Sequence, residues 1–314
     1  MSKISIIIPF KNTPLKWMKK LIDSLKNQNN QNFEAIFIDD NSDNPEPYIK
    51  LIEKNKYNYF VSPQKDMGVG KLRDFGVTLS TGNFIWFVDS DDWLYRDAIN
   101  YLLKSFNKYK NIDLIMFEYE WVFKEKLRYD DKCENYQEFI SKNIASKSNM
   151  PWFHNNYQTD WRVCFKKDFL IKNNINHPDK VNIFEDVYFG LIWKVLFKRI
   201  LLTSKKIYFY NRLNWSSSLA LYRYSPEDLI KIILSNRNYL IKNNIFKEIW
   251  YFYALNWLNS LKEMDYQIIN PIKLINIHNK FIGNNNYPSL EIIGFHKIWF
   301  TYIAILSKKR GVKK

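Results

Sequence analysis

The densest run of carboxylates in the chain lies where an apolar stretch stops: Phe84-Ile-Trp-Phe-Val88 leads straight into Asp89-Ser-Asp-Asp92. Like charges this close repel one another unless a cation, a basic partner or open water relieves them. Side chains alternate along an extended chain, so Asp89 and Asp91 fall on one side, where two carboxylates can share one cation. Oxygen-only ligands suit a hard ion such as Mg²⁺ or Mn²⁺, and magnesium commonly bridges to substrate phosphates. The same tetrapeptide also fits an acidic helix N-cap. A second acidic cluster, Asp39-Asp40-Asn41-Ser42, ends another apolar run, and Glu185-Asp186 opens a segment of helical spacing.

These side chains need elements to position them. Residues 4–8, 35–38 and 84–88 are short, continuous apolar runs of the kind buried on both faces of a parallel sheet. Between the first two, Trp17, Met18, Leu21, Ile22 and Leu25 recur at helical spacing and predict a helix over 15–28, hence a β-α-β unit. In open α/β sheets ligands bind beyond the carboxyl ends of the strands, so both acidic clusters are expected to line one crevice. Helices are expected over 71–79, 92–106 and 186–197, and strands over 113–119 and 207–210. Residues 161–170 read as a strand or turn entering a helix. From about residue 220, long helical patterns rich in Ile, Leu, Trp and Tyr predict a helical appendage. The fold class is α/β, with a catalytic domain over 1–218 and a helical region over 219–314.

Composition narrows the function. A chain of 314 residues suits one main core plus a smaller unit, and a net charge of +15 favours phosphate-bearing ligands. No arginine-rich tract with interleaved aromatics and no zinc-finger spacing accompanies that charge, so nucleic acid is not the expected partner. The two cysteines, Cys133 and Cys164, lack metal-site spacing and read as packing residues of a reducing, cytoplasmic compartment. The N-terminus reads as a strand rather than a signal peptide. Residues 295–306 are apolar and aromatic and run into a basic tail. That stretch is shorter than the about 20 residues a bilayer span requires. It fits either a core helix with a solvated tail or a peripheral contact with an anionic membrane surface. His154, His177, His278 and His296 are scattered and read as surface or packing residues. Trp152, Trp161 and Trp193 fit either sugar stacking or the core. Gly68-Val-Gly70 lacks the ending of a phosphate-binding loop, which disfavours a dehydrogenase or P-loop reading.

The order of motifs resembles the inverting family-2 glycosyltransferases, whose GT-A fold binds a nucleotide-sugar. It runs Pro9-Phe-Lys-Asn12, Asp39-Asp-Asn-Ser42, Gly70-Lys-Leu-Arg-Asp-Phe-Gly76, Asp89-Ser-Asp-Asp92, Phe184-Glu-Asp-Val-Tyr188 and Tyr210-Asn-Arg212. The segment Trp161–Leu170 also resembles the stretch that precedes the acceptor site. Coverage is about residues 3–218.

The resemblance implies that Asp40 hydrogen-bonds the nucleotide base beside Pro9, that Arg73 lies near the diphosphate or base, and that Asp89 lies near ribose and metal. Asp91 would hold a Mg²⁺ or Mn²⁺ ion directly. The metal and Arg212 would offset charge on the departing nucleoside diphosphate. Asp186 would be the general base, with Glu185 as the alternative and helix capping as Asp186's plain structural role. The expected activity is transfer from a UDP-sugar to a glycan or lipid-linked acceptor in surface polysaccharide synthesis. The alternative is a non-catalytic nucleotide-sugar or glycan-binding module of the same fold. Two positions depart from the family pattern: Lys11 replaces an aromatic residue, and Asp74 follows Arg73 where the family has asparagine.

Overall fold

The computed structural model describes residues 2–123, 135–141, 159–179 and 185–213. Strands β1 (Ile4–Phe10), β2 (Phe33–Asp39), β3 (Asn58–Val61) and β4 (Phe84–Phe87) alternate with helices α1 (Leu15–Lys26), α2 (Glu46–Lys54) and α3 (Val69–Leu79). All seven residues of β1 are buried, as are all four of β4, which accounts for their unbroken apolar runs. Strand β1 is central and pairs in parallel with β2 on one side and β4 on the other, and β2 pairs in parallel with β3.

Among the described residues the remaining elements are β5 (Trp93–Leu94), α4 (Ala98–Lys108), β6 (Leu114–Val122), β7 (Glu138–Ser141), a 3-10 turn over Asp160–Arg162, β8 (Val163–Lys166), α5 (Lys167–Lys172), α6 (Glu185–Leu196) and β9 (Ile200–Asn211). The sheet order is β3-β2-β1-β4-β8-β6-β9-β5, with β7 also on β9. Strand β8 runs antiparallel between β4 and β6, while β6 and β9 are parallel. The expected parallel sheet therefore holds for the first half and becomes mixed in the second.

Two expectations are corrected. The helix predicted over 92–106 starts only at Ala98, because Trp93 and Leu94 pair antiparallel with Phe209 and Tyr208. The strand predicted over 207–210 is the end of the twelve-residue β9. Helix α3 lies close against the sheet: a Cβ at Gly76 would sit 2.3 Å from Ile7 Cγ2 and 2.9 Å from Ile38 Cδ1. Only glycine permits that approach. Among the described residues no helix is long and apolar enough to cross a membrane. The chain divides at Arg223/Tyr224 into two units. The predicted helical appendage and the aromatic, basic C-terminus lie outside the described residues.

Candidate active site

The chain returns from β3 to β4 on the far side of β1, so the strand order reverses at β1 and leaves a crevice at the carboxyl ends. The β1–β4 ladder ends at Ile7 and Phe87, with the Val88 N–H donating to the Ile7 carbonyl at 3.0 Å. Backbone groups alternate sides along a strand, so Pro9 turns its missing N–H toward the gap where β4 has ended. On the other side the Asp40 N–H still donates to the Phe10 carbonyl at 2.8 Å. Both acidic clusters thus stand on one edge of the sheet, flanking β1.

The carboxylates of the first cluster are both buried, while those of the second differ in exposure. Asp39 is buried and accepts from the Ser42 N–H at 2.8 Å, the Ser42 hydroxyl at 2.6 Å and the Tyr59 hydroxyl at 2.9 Å, so it shapes the turn. Asp40 accepts from the Met67 N–H at 3.2 Å and the Ser62 hydroxyl at 3.3 Å, which ties β2 to the loop before α3. Asp92 is buried and accepts from the Tyr208 hydroxyl at 2.6 Å and the Asn211 N–H at 2.7 Å. Burial, with Asp91 and Asp89 nearby, pushes the Asp92 carboxyl well above the usual range. Asp92 is therefore the anchor of the acidic strand end to β9, and Asp89 and Asp91 are the less buried members.

Arg73 is the node of the site. It projects from α3, is 4% exposed, and donates through Nη1 to Asp160 Oδ2 at 3.0 Å and Glu185 Oε1 at 3.1 Å. Its Nη2 donates to Asp89 Oδ1 at 2.9 Å. One guanidinium thereby joins the acidic strand end to the first turn of α6. Burial opposes its charge, but Asp160, Asp89, Glu185 and Asp186 more than offset that and hold it ionised. Gly70 makes the junction tight, since a Cβ there would lie 2.9 Å from Glu185 Cγ and 2.9 Å from His177 Cβ.

At the start of α6 the two acidic residues differ. Glu185 is buried, and that burial pushes its carboxyl up against the opposing pull of Arg73. Asp186 is only partly buried. Arg212 follows β9, its N–H donating to the Val122 carbonyl at 3.0 Å and its guanidinium lying 4.8 Å from the Trp121 ring and 5.7 Å from Tyr210. Burial raises the Tyr210 phenol, with Asp92, Asp89 and Asp91 adding to the rise and Arg212 opposing it. Arg212 and the acidic strand end therefore act on the same hydroxyl.

Two residues that sequence reasoning missed complete the cluster. Asp160 has no exposed surface in its side chain and joins Arg73 to His177. His177, read from sequence as a surface or packing residue, is buried, with Nδ1 2.7 Å from Asp74 Oδ1 and Nε2 2.8 Å from Asp160 Oδ2. Asp74, the departure from the family motif, is thus turned toward His177 and Lys71. The signal for this pair was the unusual Asp74 itself. Lys11, the other departure, pairs with Asp66 on the surface. Trp161 and Trp193 are core residues, with Trp161 stacked on Tyr208 and Tyr210. Cys164 is buried, as its packing role requires. Trp152 and Cys133 lie outside the described residues.

Among the described residues no group of three or more His, Cys, Asp or Glu side chains is arranged to hold a metal by itself. Asp89 and Asp91 offer oxygen donors only. That set fits magnesium or manganese, which retain waters and bind through one or two carboxylates plus substrate phosphates.

Comparison with known proteins identifies the family. Residues 5–167 match the family model for Glycosyl transferase family 2. EpsH of Bacillus subtilis is 24% identical over 254 residues, covering 78% of this chain and 71% of EpsH. The poly(ribitol-phosphate) beta-N-acetylglucosaminyltransferase TarS of Staphylococcus aureus is 24% identical over 239 residues, covering 74% of this chain and 39% of TarS. The crystal structure of S. aureus TarS 1-349 in complex with UDP-GlcNAc aligns with a TM-score of 0.65 at 19% identity, over 96% of this chain and 79% of that one. The chain thus spans most of one relative and well under half of another. With the family's motifs on the strand ends and the matching GT-A fold, this chain belongs to glycosyl transferase family 2.

Proposed function

We propose that this glycosyltransferase transfers a sugar, with inversion, from a UDP-sugar to a hydroxyl of a glycan or lipid-linked acceptor in surface polysaccharide synthesis. The observation that carries the reading is Arg73, which bridges Asp89 at the strand end and Glu185 at the start of α6. Donor-side and acceptor-side carboxylates therefore belong to one charge-coupled unit. The fold match to TarS bound to UDP and to UDP-GlcNAc supports a UDP-sugar donor.

In this mechanism Asp40 and Pro9 receive the base, Asp89 lies at the ribose, and Arg212 faces the diphosphate. Asp89 and Asp91 would hold a Mg²⁺ or Mn²⁺ ion, which when bound would supply positive charge toward the departing diphosphate. Asp186 is the base. Its partial exposure favours it over the buried Glu185. The acceptor oxygen attacks the anomeric carbon from the face opposite UDP. The new C–O bond forms as the bond to the diphosphate breaks, and the acceptor proton passes to Asp186. The helix N-terminus favours the ionised carboxylate that a base requires.

Isothermal calorimetry with UDP tests the donor site. Binding that strengthens with Mn²⁺ and weakens in Asp40→Ala supports the reading. No binding of UDP with or without the ion overturns it.

A further inference from the structure

Resting on the transferase reading above, we infer that His177 is a positioning residue of the transfer site. As an imidazolium clamped between Asp74 and Asp160, it leaves Arg73 available to hold Glu185 and Asp89. A neutral imidazole has one N–H and one acceptor nitrogen, whereas a carboxyl oxygen lies 2.7 Å from one ring nitrogen of His177 and 2.8 Å from the other, a pattern that a donor on each side satisfies. The ring is fixed further by Phe189, stacked at 4.2 Å and 6°, and by the edge contact with Phe87 at 5.8 Å.

Asp160 shows why the charge matters. Its Oδ2 takes both His177 and Arg73, while its buried Oδ1 has no hydrogen-bond partner among the described residues. A carboxylate removed from water in this way depends on its cations. Arg73 is already divided among Asp160, Glu185 and Asp89. Without the imidazolium, Asp160 would draw Arg73 toward itself and loosen the first turn of α6, where Asp186 stands. The charged groups around the ring are Asp74, Arg73 and, through Asp74, Lys71 on α3, Asp160 on the 3-10 turn, and Glu185 on α6. Burial opposes the charge on His177, and Asp160 and Asp74 outweigh it, raising the imidazole to about 9.

The test combines NMR of the histidine-labelled full chain with kinetics of His177→Gln and Asp74→Asn. In the wild type, one of the four histidines should keep N–H protons on both ring nitrogens at about pH 8. Asp74→Asn should lower the pH at which that proton is lost. With a UDP-sugar donor, kcat of His177→Gln should fall about tenfold or more while KM for the donor changes less than about threefold. The acid limb of its pH–rate profile should move to higher pH, because removing a cation raises nearby carboxylates. A neutral His177 at about pH 7.5, or a His177→Gln enzyme with wild-type kcat and pH profile, overturns the inference alone. If the wild type binds no UDP, the transferase reading fails and takes this role with it. If His177→Gln does not fold, the wild-type NMR and the milder Asp74→Asn decide the matter.

Discussion

Replacing Arg73 with methionine, which keeps much of the length and removes the charge, would leave Asp89, Asp160 and Glu185 facing one another. The side chain of Arg73 is 5% exposed and makes three ion-pair hydrogen bonds of 2.9 to 3.1 Å. Breaking a buried pair by removing one partner costs roughly 3–5 kcal/mol, against a total stability of about 5–15 kcal/mol. With three carboxylates stranded, the upper part of that range is expected at neutral pH. The cost should shrink on acidification. Stranded carboxylates have raised native-state affinity for protons, so the folded variant binds more protons than the unfolded chain and its stability falls as pH rises. Urea unfolding of wild type and Arg73→Met at about pH 7.5 and about pH 5 measures both quantities. A loss under about 1 kcal/mol, or one independent of pH, would refute the claim that Arg73 is the hub of a buried charge cluster.

Three further outcomes follow from the same geometry. Tyr208→Phe removes the hydroxyl that donates to Asp92 and accepts from the Asp89 N–H, and should cost about 1–3 kcal/mol in denaturant unfolding. Gly70→Ala gains about 1 kcal/mol of helix propensity but forces a Cβ against Glu185 and His177, at about 1–3 kcal/mol. The expected result is a folded protein with a larger loss of kcat than of stability. His177 has an ordinary value of 6.5 and is raised to about 9 by its carboxylates against the penalty of burial. Its contribution, on the order of 3 kcal/mol, should be fully present below about pH 6.5 and lost as pH rises through about 9. Urea midpoints across that window read it directly, and a flat profile contradicts the clamped imidazolium.

The early strands and their acidic ends were legible in the sequence because strands buried on both faces write continuous apolar runs. Strand β3 left no such mark: it lies at the sheet edge with half-exposed residues. Strand β9 was read short because Ser204, Lys205 and Lys206 interrupt its apolar pattern where its register with β6 shifts. The helix over 92–106 was extended too far because Trp93 and Leu94 carry no local sign of their partners more than a hundred residues away. For the candidate site, motif order singled out Pro9, Asp40, Arg73, Asp89, Asp91, Glu185, Asp186 and Arg212, of which Arg73, Asp89 and Glu185 meet directly in the structure. Asp160 and His177 escaped because a buried ion pair leaves no periodicity. Their bonds to Arg73 and Asp74 join residues 87 and 103 positions apart.

The most direct test of the account is transfer from a panel of nucleotide-sugars, measured with Mg²⁺ or Mn²⁺ and with chelator, on wild type, Asp91→Ala and Asp186→Asn. The account predicts release of UDP from one donor only when the ion is present, abolished in both variants, with UDP binding retained in Asp186→Asn. Turnover that survives Asp186→Asn would contradict the assignment of the base, and a wild type that neither binds nor releases UDP would contradict the account as a whole.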